Sequence, residues 1–299
     1  MRTRNNKRAK LSPNDTLDAL DNDLLVQCAS YLDADGLAWL GRTSARFGTP
    51  QAGRERSLVN ETAHRRFQQG ATDEERGCLP KYGDESDIGL CRALEQLRKP
   101  LCFDELVGGG FGHQECAAIV THARRGCWST AVSAHVMRGG RHFVEFAISD
   151  VERGQTEVHF GVIRPVSLTD GIDLEDDWEG SVDPMYVWSS YKHTVAEILR
   201  SRRSVKWGDS IVHCCTYYCE DGRCSQTDWS NSRKESNWQG HESLRESGTI
   251  GLLLNLDEGT LSVYKNGRRL GVMKDGLEGQ YCWFVSSWCA CTIRMSKGG

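Results

Sequence analysis

Proline is scarce in this chain, 6 of 299 residues against a usual ~5%. Long apolar runs are missing too. The longest uncharged stretch, Gly279 to Ile293, covers 15 residues and includes Gln, Ser and Thr, whereas a membrane helix needs ~18 apolar residues. There is no basic excess: 37 Lys and Arg against 41 Asp and Glu give a net charge of −4. That balance disfavours a surface devoted to gripping phosphates, so neither nucleic acid nor membrane is an expected partner. The signatures of common catalysis are also lacking, with no G-x-S-x-G, no P-loop and no H-E-x-x-H. Gly108-Gly109-Gly110-Phe111-Gly112 is glycine-rich but has no Lys-Ser/Thr to hold a phosphate, and reads as a flexible loop. The chain is therefore expected to be no enzyme and to carry no cofactor. Met1 to Lys10 holds five basic residues, but Leu11 leads into Ser12-Pro13-Asn14-Asp15 rather than into an apolar core. No secretory leader is expected, and the expected location is intracellular, cytoplasmic or nuclear. Residues 1–14 read as a solvated basic tail, or, through Lys7-Arg8-Ala9-Lys10, as an import signal.

What is present suits a folded protein of about two domains, with 38% apolar residues. Glycine is plentiful, 31 residues, which fits many tight turns and a β component. Thirteen cysteines is an odd number in a chain expected to be intracellular, so they read as free thiols, mostly buried. His213, Cys214, Cys215, Cys219 and Cys224 put five soft ligands within 12 residues. Zinc needs four in a tetrahedron, yet no second paired motif follows, and adjacent Cys214 and Cys215 point to opposite faces of a strand. Buried thiols are the preferred reading over a zinc knuckle.

The hydrophobic period changes along the chain. Asp23 is placed to cap a helix through Leu24–Leu32, with a second short helix around Leu37, Trp39 and Leu40. Residues 55–69 and 87–98 read as two more helices, with loops at 70–73 and 80–84. From residue 101 the period is 2. Val144, Phe146 and Ile148 share a face, and 157–163, 249–256, 260–265, 268–273, 281–288 and 289–295 are further strands. Asn266-Gly267 makes a two-residue hairpin turn. The expected fold class is α+β: residues 15–50 a small helical domain, 51–100 a helical linker, and 101–299 an antiparallel β-sandwich.

Several of these segments resemble a known family in the expected order. Gly140-Arg141-His142-Phe143-Val144-Glu145-Phe146, Gly161-Val162-Ile163-Arg164-Pro165 and the run Gly248 to Gly271 resemble the strands of a SPRY domain. Val144 stands where many members carry Trp. The resemblance implies a β-sandwich that binds a protein partner or peptide through its end loops. Leu17 to Phe47 is similar to an F-box, with Ala19 near the usual Pro and Thr43-Ser44 in place of Val-Cys. That similarity implies docking on the Skp subunit of a cullin–RING ubiquitin ligase, through Leu17, Leu20, Leu24, Leu25, Leu32, Leu37 and Leu40. Alternatively, the helices only pack on the sandwich.

The recognition loops are argued from charge. Between Pro165 and Ser190 lie seven acidic residues and no Lys or Arg, with Trp178, Tyr186 and Trp188 interleaved. Asp173, Asp176, Trp178, Tyr186 and Trp188 are the candidate partner-binding residues, suited to a basic partner. A solvated insertion with its aromatics tucked inward is the competing reading. Ser201 to Trp207 is a basic counterpart that fits the acidic loop internally, and residues 214–245 are a second candidate loop.

Overall fold

A computed structural model describes residues 20–123, 125–151 and 156–298. The basic tail and Leu17 lie outside the described residues. The chain divides into two compact units, one of residues 1–72 and 81–96, the other of 73–80 and 97–299.

The first unit is helical: α1 (Asn22–Ala29), α2 (Ala34–Thr43), α3 (Ala45–Gly48), α4 (Leu58–Gly70) and α6 (Asp87–Arg98), the last running to the unit's edge. Asp21, rather than Asp23, caps α1, because its carboxylate reaches the amide of Leu24 at 2.8 Å. Asp33 caps α2 on the amide of Gly36 at 2.7 Å. Leu25, Val26 and Ala29 of α1 meet Ala34 and Leu37 of α2 and Leu58, Val59 and Ala63 of α4, and Cys91 of α6 closes the same core. Residues 51–100 are therefore no separate linker: α4 and α6 complete the core that α1 and α2 begin. Within this unit one buried carboxylate ties the start of α6 to α4. Asp87 receives Lys81 at 2.6 Å, Arg56 at 3.1 Å and His64 at 3.4 Å. Burial opposes its charge, but these cations hold the Asp87 carboxyl below its ordinary value.

The second unit holds α5 (Asp73–Cys78), α7 (His193–Ser201) and two seven-stranded antiparallel sheets. The short helix α5 thus fills the stretch between the two loops expected at 70–73 and 80–84. Sheet 1 runs β1 (Glu105–Val107), β4 (Ser129–Val132), β13 (Cys282–Ser287), β6 (Val158–Ile163), β7 (Cys214–Tyr218), β8 (Cys224–Thr227), β9 (Lys234–Ser236). Sheet 2 runs β12 (Arg268–Lys274), β11 (Thr260–Lys265), β10 (Gly248–Asn255), β5 (Arg141–Ser149), β14 (Cys291–Ser296), β3 (Ile119–His122), β2 (Phe111–His113). The α+β sandwich expected from the sequence is the observed architecture. Val144, Phe146 and Ile148 face inward together, and Phe146 stacks on Phe160 of the opposite sheet at 4.8 Å. The hairpin between β11 and β12 turns on Asn266 and Gly267 at φ 48° and 76°, as its two-residue length demands. The glycine-rich segment is packed tightly rather than flexible. The Gly110 amide donates to Ser129 Oγ at 2.9 Å, and a Cβ on Gly110 would lie 2.1 Å from His122 Nε2.

Sheet 1 is covered on both sides. Its inner side chains join the inter-sheet core. On its outer face Ile163, Cys214, Cys282 and Phe284 meet a third layer drawn from residues 166–207, which includes Leu168, Trp178, Met185, Val195, Leu199 and Trp207. α7 contributes through one apolar stripe, Val195, Ala196 and Leu199. Each fully buried tryptophan removes about 150–250 Å² from water, a gross gain of about 4–6 kcal/mol before entropy is counted.

Candidate recognition surface

The leucines assigned to adaptor docking divide by burial. Leu25 and Leu37 are sealed into the first unit's own core, and half-buried Leu40 packs against it. Leu20, Leu24 and Leu32 face solvent, Leu24 with 47% of its surface exposed. Two aromatic residues of the same unit are more open still, Tyr31 at 87% and Trp39 at 65%, with the Arg42 guanidinium 5.5 Å from the Trp39 ring. Isolated exposed leucines are ordinary, but five large exposed side chains within 20 residues are more than a folded helical hairpin needs.

The acidic segment has two fates. Trp178 belongs to the core and not to a partner: it is 0% exposed, and its indole N–H donates to the Leu168 carbonyl at 2.9 Å. The apolar third layer draws its ring inward, so the assignment of Trp178 to partner contact is corrected. Asp173 is exposed and folds its own turn, accepting the amides of Glu175 and Asp176 at 2.8 Å each, which keeps its carboxyl below the ordinary value. Asp176 is exposed. Trp188 is half-buried and stacks on Tyr191 at 4.9 Å. The basic counterpart does engage the acidic loop, since Arg202 lies 3.7 Å from the Asp170 carboxylate and donates to the carbonyls of Ser167 and Asp170. Trp207 and Trp229 are core residues, and Trp238 is buried with its N–H on the Gly222 carbonyl at 2.9 Å.

Tyr186 leads to a cluster that the sequence did not reveal. At one end of the outer face of sheet 1, Trp128 lies 5.7 Å from Tyr186, 5.9 Å from Trp288 and 5.1 Å from His159. Tyr218 stacks on His159 at 4.6 Å. The four aromatic residues are half-buried, while His159 beneath them is fully buried. The Arg233 guanidinium sits 4.3 Å from the Tyr186 ring centre and 2.5 Å from Glu235. Nothing in the local sequence of Trp128 or Trp288 announces this grouping, because it depends on strand register.

Below the rings lies a His–Asp pair. His159 Nδ1 is 3.0 Å from Thr216 Oγ1, and its Nε2 faces Asp183 Oδ2 at 3.6 Å, too long for a hydrogen bond. Both facing atoms are buried without a hydrogen-bond partner among the described residues. Burial pushes the Asp183 carboxyl up to about 7, against the pull of the Met185 amide and Arg233, and burial pushes the His159 imidazole down to about 3. Thr216, His159 and Asp183 stand in the order of nucleophile, base and orienting carboxylate. All three are at most 2% exposed, so no substrate reaches the hydroxyl and the group acts as an internal strut.

The cysteine-rich hairpin separates its thiols as strand geometry dictates. Cys214 enters the outer-face cluster, while Cys215, Cys219 and Cys224 enter the inter-sheet core. No group of three or more potential ligands among the described residues is placed to hold a metal ion. No helix among them is long and apolar enough to cross a membrane.

No protein-family model matches the chain, and no curated protein matches it. Solved structures with a similar course of the chain include the SPRY domain of human HERC1, at 13% identity and a TM-score of 0.44, covering 66% of this chain and 97% of that one. The TRIM65 PSpry domain covers 67% of this chain and 93% of its own, at 15% identity and a TM-score of 0.39. A carbohydrate-binding module, CBM66 from Bacillus subtilis, covers 64% and 91%, at 10% identity and a TM-score of 0.35. Likenesses this distant carry no functional weight, and the sandwich assignment rests on the sheets described above.

Proposed function

We propose that this chain is a non-catalytic protein-binding adaptor. The SPRY-like sandwich captures a protein partner at the loop-bearing end of sheet 1, and the F-box-like helical unit offers an apolar face to a Skp-type subunit of a cullin–RING ligase. The supporting observation is the half-exposed aromatic group Trp128, Tyr186, Tyr218 and Trp288. Aromatic side chains of this size anchor protein interfaces. Asp173, Asp176 and Trp188 are the neighbouring loop residues assigned to the same partner. Exposed Leu20, Leu24 and Leu32, with Tyr31 and Trp39, support the second arm. Together the two arms raise the local concentration of a captured protein at the ligase.

Co-expression with a Skp-type subunit tests the second arm. The wild-type chain retains the subunit through size exclusion. Leu24→Asp combined with Trp39→Asp, both at exposed positions, loses it while the helical circular dichroism is unchanged. If the wild-type chain never retains the subunit, the ligase role falls. The chain is then a SPRY-like interaction module whose helices play a structural part.

A further inference from the structure

The register of sheet 1 brings four distant residues into one line. Ser129 pairs with Ser287, Ser287 with Val158, and the Cys219 amide donates to the Val158 carbonyl at 2.9 Å. One step toward the sheet's end, the Trp288 amide donates to the Glu157 carbonyl at 3.0 Å. Continuing each pairing by that step places Trp128, Trp288, Glu157 and Glu220 side by side just beyond the ends of β4, β13, β6 and β7. Alternation puts Trp128, Trp288 and Glu157 on the outer face, because the next row inward, Thr130, Ser286 and His159, faces the third layer, and Glu220, in the turn after β7, joins that side through its bond to the hydroxyl of Tyr218, which stacks on His159. In that row Thr130 Oγ1 lies 2.7 Å from the Val182 carbonyl and 2.7 Å from Ser286 Oγ.

The row is half aromatic and half acidic. Adjacent strands are about 4.8 Å apart, so a cation resting on the Trp288 ring is within reach of Glu157. Like charges opposite each other on neighbouring strands destabilise a sheet. Glu157 and Glu220, just past the ends of β6 and β7, bring like charges together in the same way, and neither has a cationic partner among the described residues. Burial first, and then the charge of Glu220, push the Glu157 carboxyl above its ordinary value. Glu220 also accepts the Tyr218 hydroxyl at 2.7 Å, which fixes its place at the edge of the cluster. Neighbouring Tyr186 displays the arrangement in filled form, with a guanidinium on its ring and a carboxylate behind that guanidinium. The exposed acidic turn at Asp173 and Asp176 leads, through Ser181 and Val182, directly onto Trp128, whose backbone bonds both residues at 3.1 and 2.8 Å.

We propose that the row Trp128–Trp288–Glu157–Glu220 binds a basic segment of a protein partner, seating one arginine or lysine side chain over the Trp288 ring against Glu157. This rests on the protein-capture reading above and specifies its chemistry. Cation–π contact and the carboxylates act on the same group, and the partner's charge relieves the repulsion between Glu157 and Glu220.

Fluorescence anisotropy with the full chain tests it. The probes are a fluorescein-labelled Gly-Ser peptide carrying two arginines and its citrulline counterpart, which keeps the shape but not the charge. The arginine peptide binds, the citrulline peptide is about tenfold weaker, and Glu157→Gln lowers the arginine peptide's affinity by about tenfold. Trp288→Ala abolishes binding, and raising the salt weakens it. Equal binding of the two peptides, or no effect of Glu157→Gln, overturns the proposal. An array of peptides of unbiased composition separates this failure from that of the wider reading. If acidic or apolar peptides are retained and lost with Trp288→Ala, the basic preference is wrong and capture at this surface stands. If no retained peptide depends on Trp128 or Trp288, both fall.

Discussion

Replacing Asp183 by asparagine isolates the proton held under the aromatic cluster. In the folded chain Asp183 keeps its proton to about 7, and His159 stays neutral down to about 3. In the unfolded chain the carboxyl releases its proton near 3.8 and the imidazole takes one up below 6.5. The signs oppose each other. From pH 3.8 to 7 the folded Asp183 holds a proton that the unfolded chain has lost, so its contribution falls as pH rises. From pH 3 to 6.5 the unfolded His159 holds a proton that the folded chain lacks, so its contribution rises with pH. Between about pH 4 and 6.5 the pair binds one proton in either state, and its net slope is near zero. At about 1.4 kcal/mol per pH unit, the interval from 3.8 to 7 costs the wild-type chain up to about 4 kcal/mol at neutral pH. Asp183→Asn removes that cost, keeps an acceptor for the Met185 amide, now 2.9 Å from the carboxylate, and leaves the His159 slope uncompensated. The variant gains about 3 kcal/mol on wild type between pH 4.5 and 6.5. That equals a relative rise in Tm of about 6–12 °C for a domain of this size. Thermal melts followed by near-ultraviolet circular dichroism at four pH values measure it. Parallel wild-type and variant profiles would refute the reasoning, since they would mean that Asp183 titrates as an exposed carboxyl does.

Two further outcomes follow from packing. Trp178→Ala removes a 0% exposed side chain and its hydrogen bond to Leu168, at about 3–5 kcal/mol of stability. Partner capture per folded molecule stays unchanged, as titration at equal folded concentration checks. Gly161→Ala would place a Cβ 2.0 Å from the Cys215 carbonyl oxygen, at the pairing of β6 with β7. The obstacle is the paired backbone of β7 at Cys215, with the Thr216 methyl 2.8 Å away, so soluble yield falls sharply and any recovered protein melts well below wild type.

The sequence disclosed some strands and hid others for a physical reason. Strands β5, β10 and β11 lie in sheet 2, where one face meets the core and the other is open. Alternation such as Val144, Phe146, Ile148 survives there, and Asn266-Gly267 marks the turn. The middle of sheet 1 is buried on both faces: β4 has no exposed position and β7 only a half-buried one at Tyr218, whereas β6 and β13, equally buried, are still legible in the sequence as 157–163 and 281–288. A strand covered twice shows no period of 2, and β1, β2 and β9 are only three residues long. The helical segment was read from spacing, but its extent was not. α4 and α6 carry polar faces that resemble a linker until their buried residues, Leu58, Val59, Ala63 and Cys91, are seen to share the core of α1 and α2.

The site was less legible than the fold, and the third layer explains why. Aromatic and acidic residues between 165 and 190 share a composition that fits either cover or contact, and composition does not say which side of a segment meets sheet 1. Packing decides: Trp178 goes under and Asp173 and Asp176 stay out. The layer does not fully cover the end of the sheet, and the half-exposed rings lie there. Trp128, Glu157, Glu220 and Trp288 flank the ends of four strands and are spread over 161 positions, and only register makes them neighbours. A slip of one residue in any strand would turn that strand's member to the opposite face. Recognition by such a row is therefore a property of strand pairing before it is a property of any loop. The missing side chain at Gly161, where a Cβ would meet the Cys215 carbonyl oxygen, is a condition of the pairing of β6 with β7.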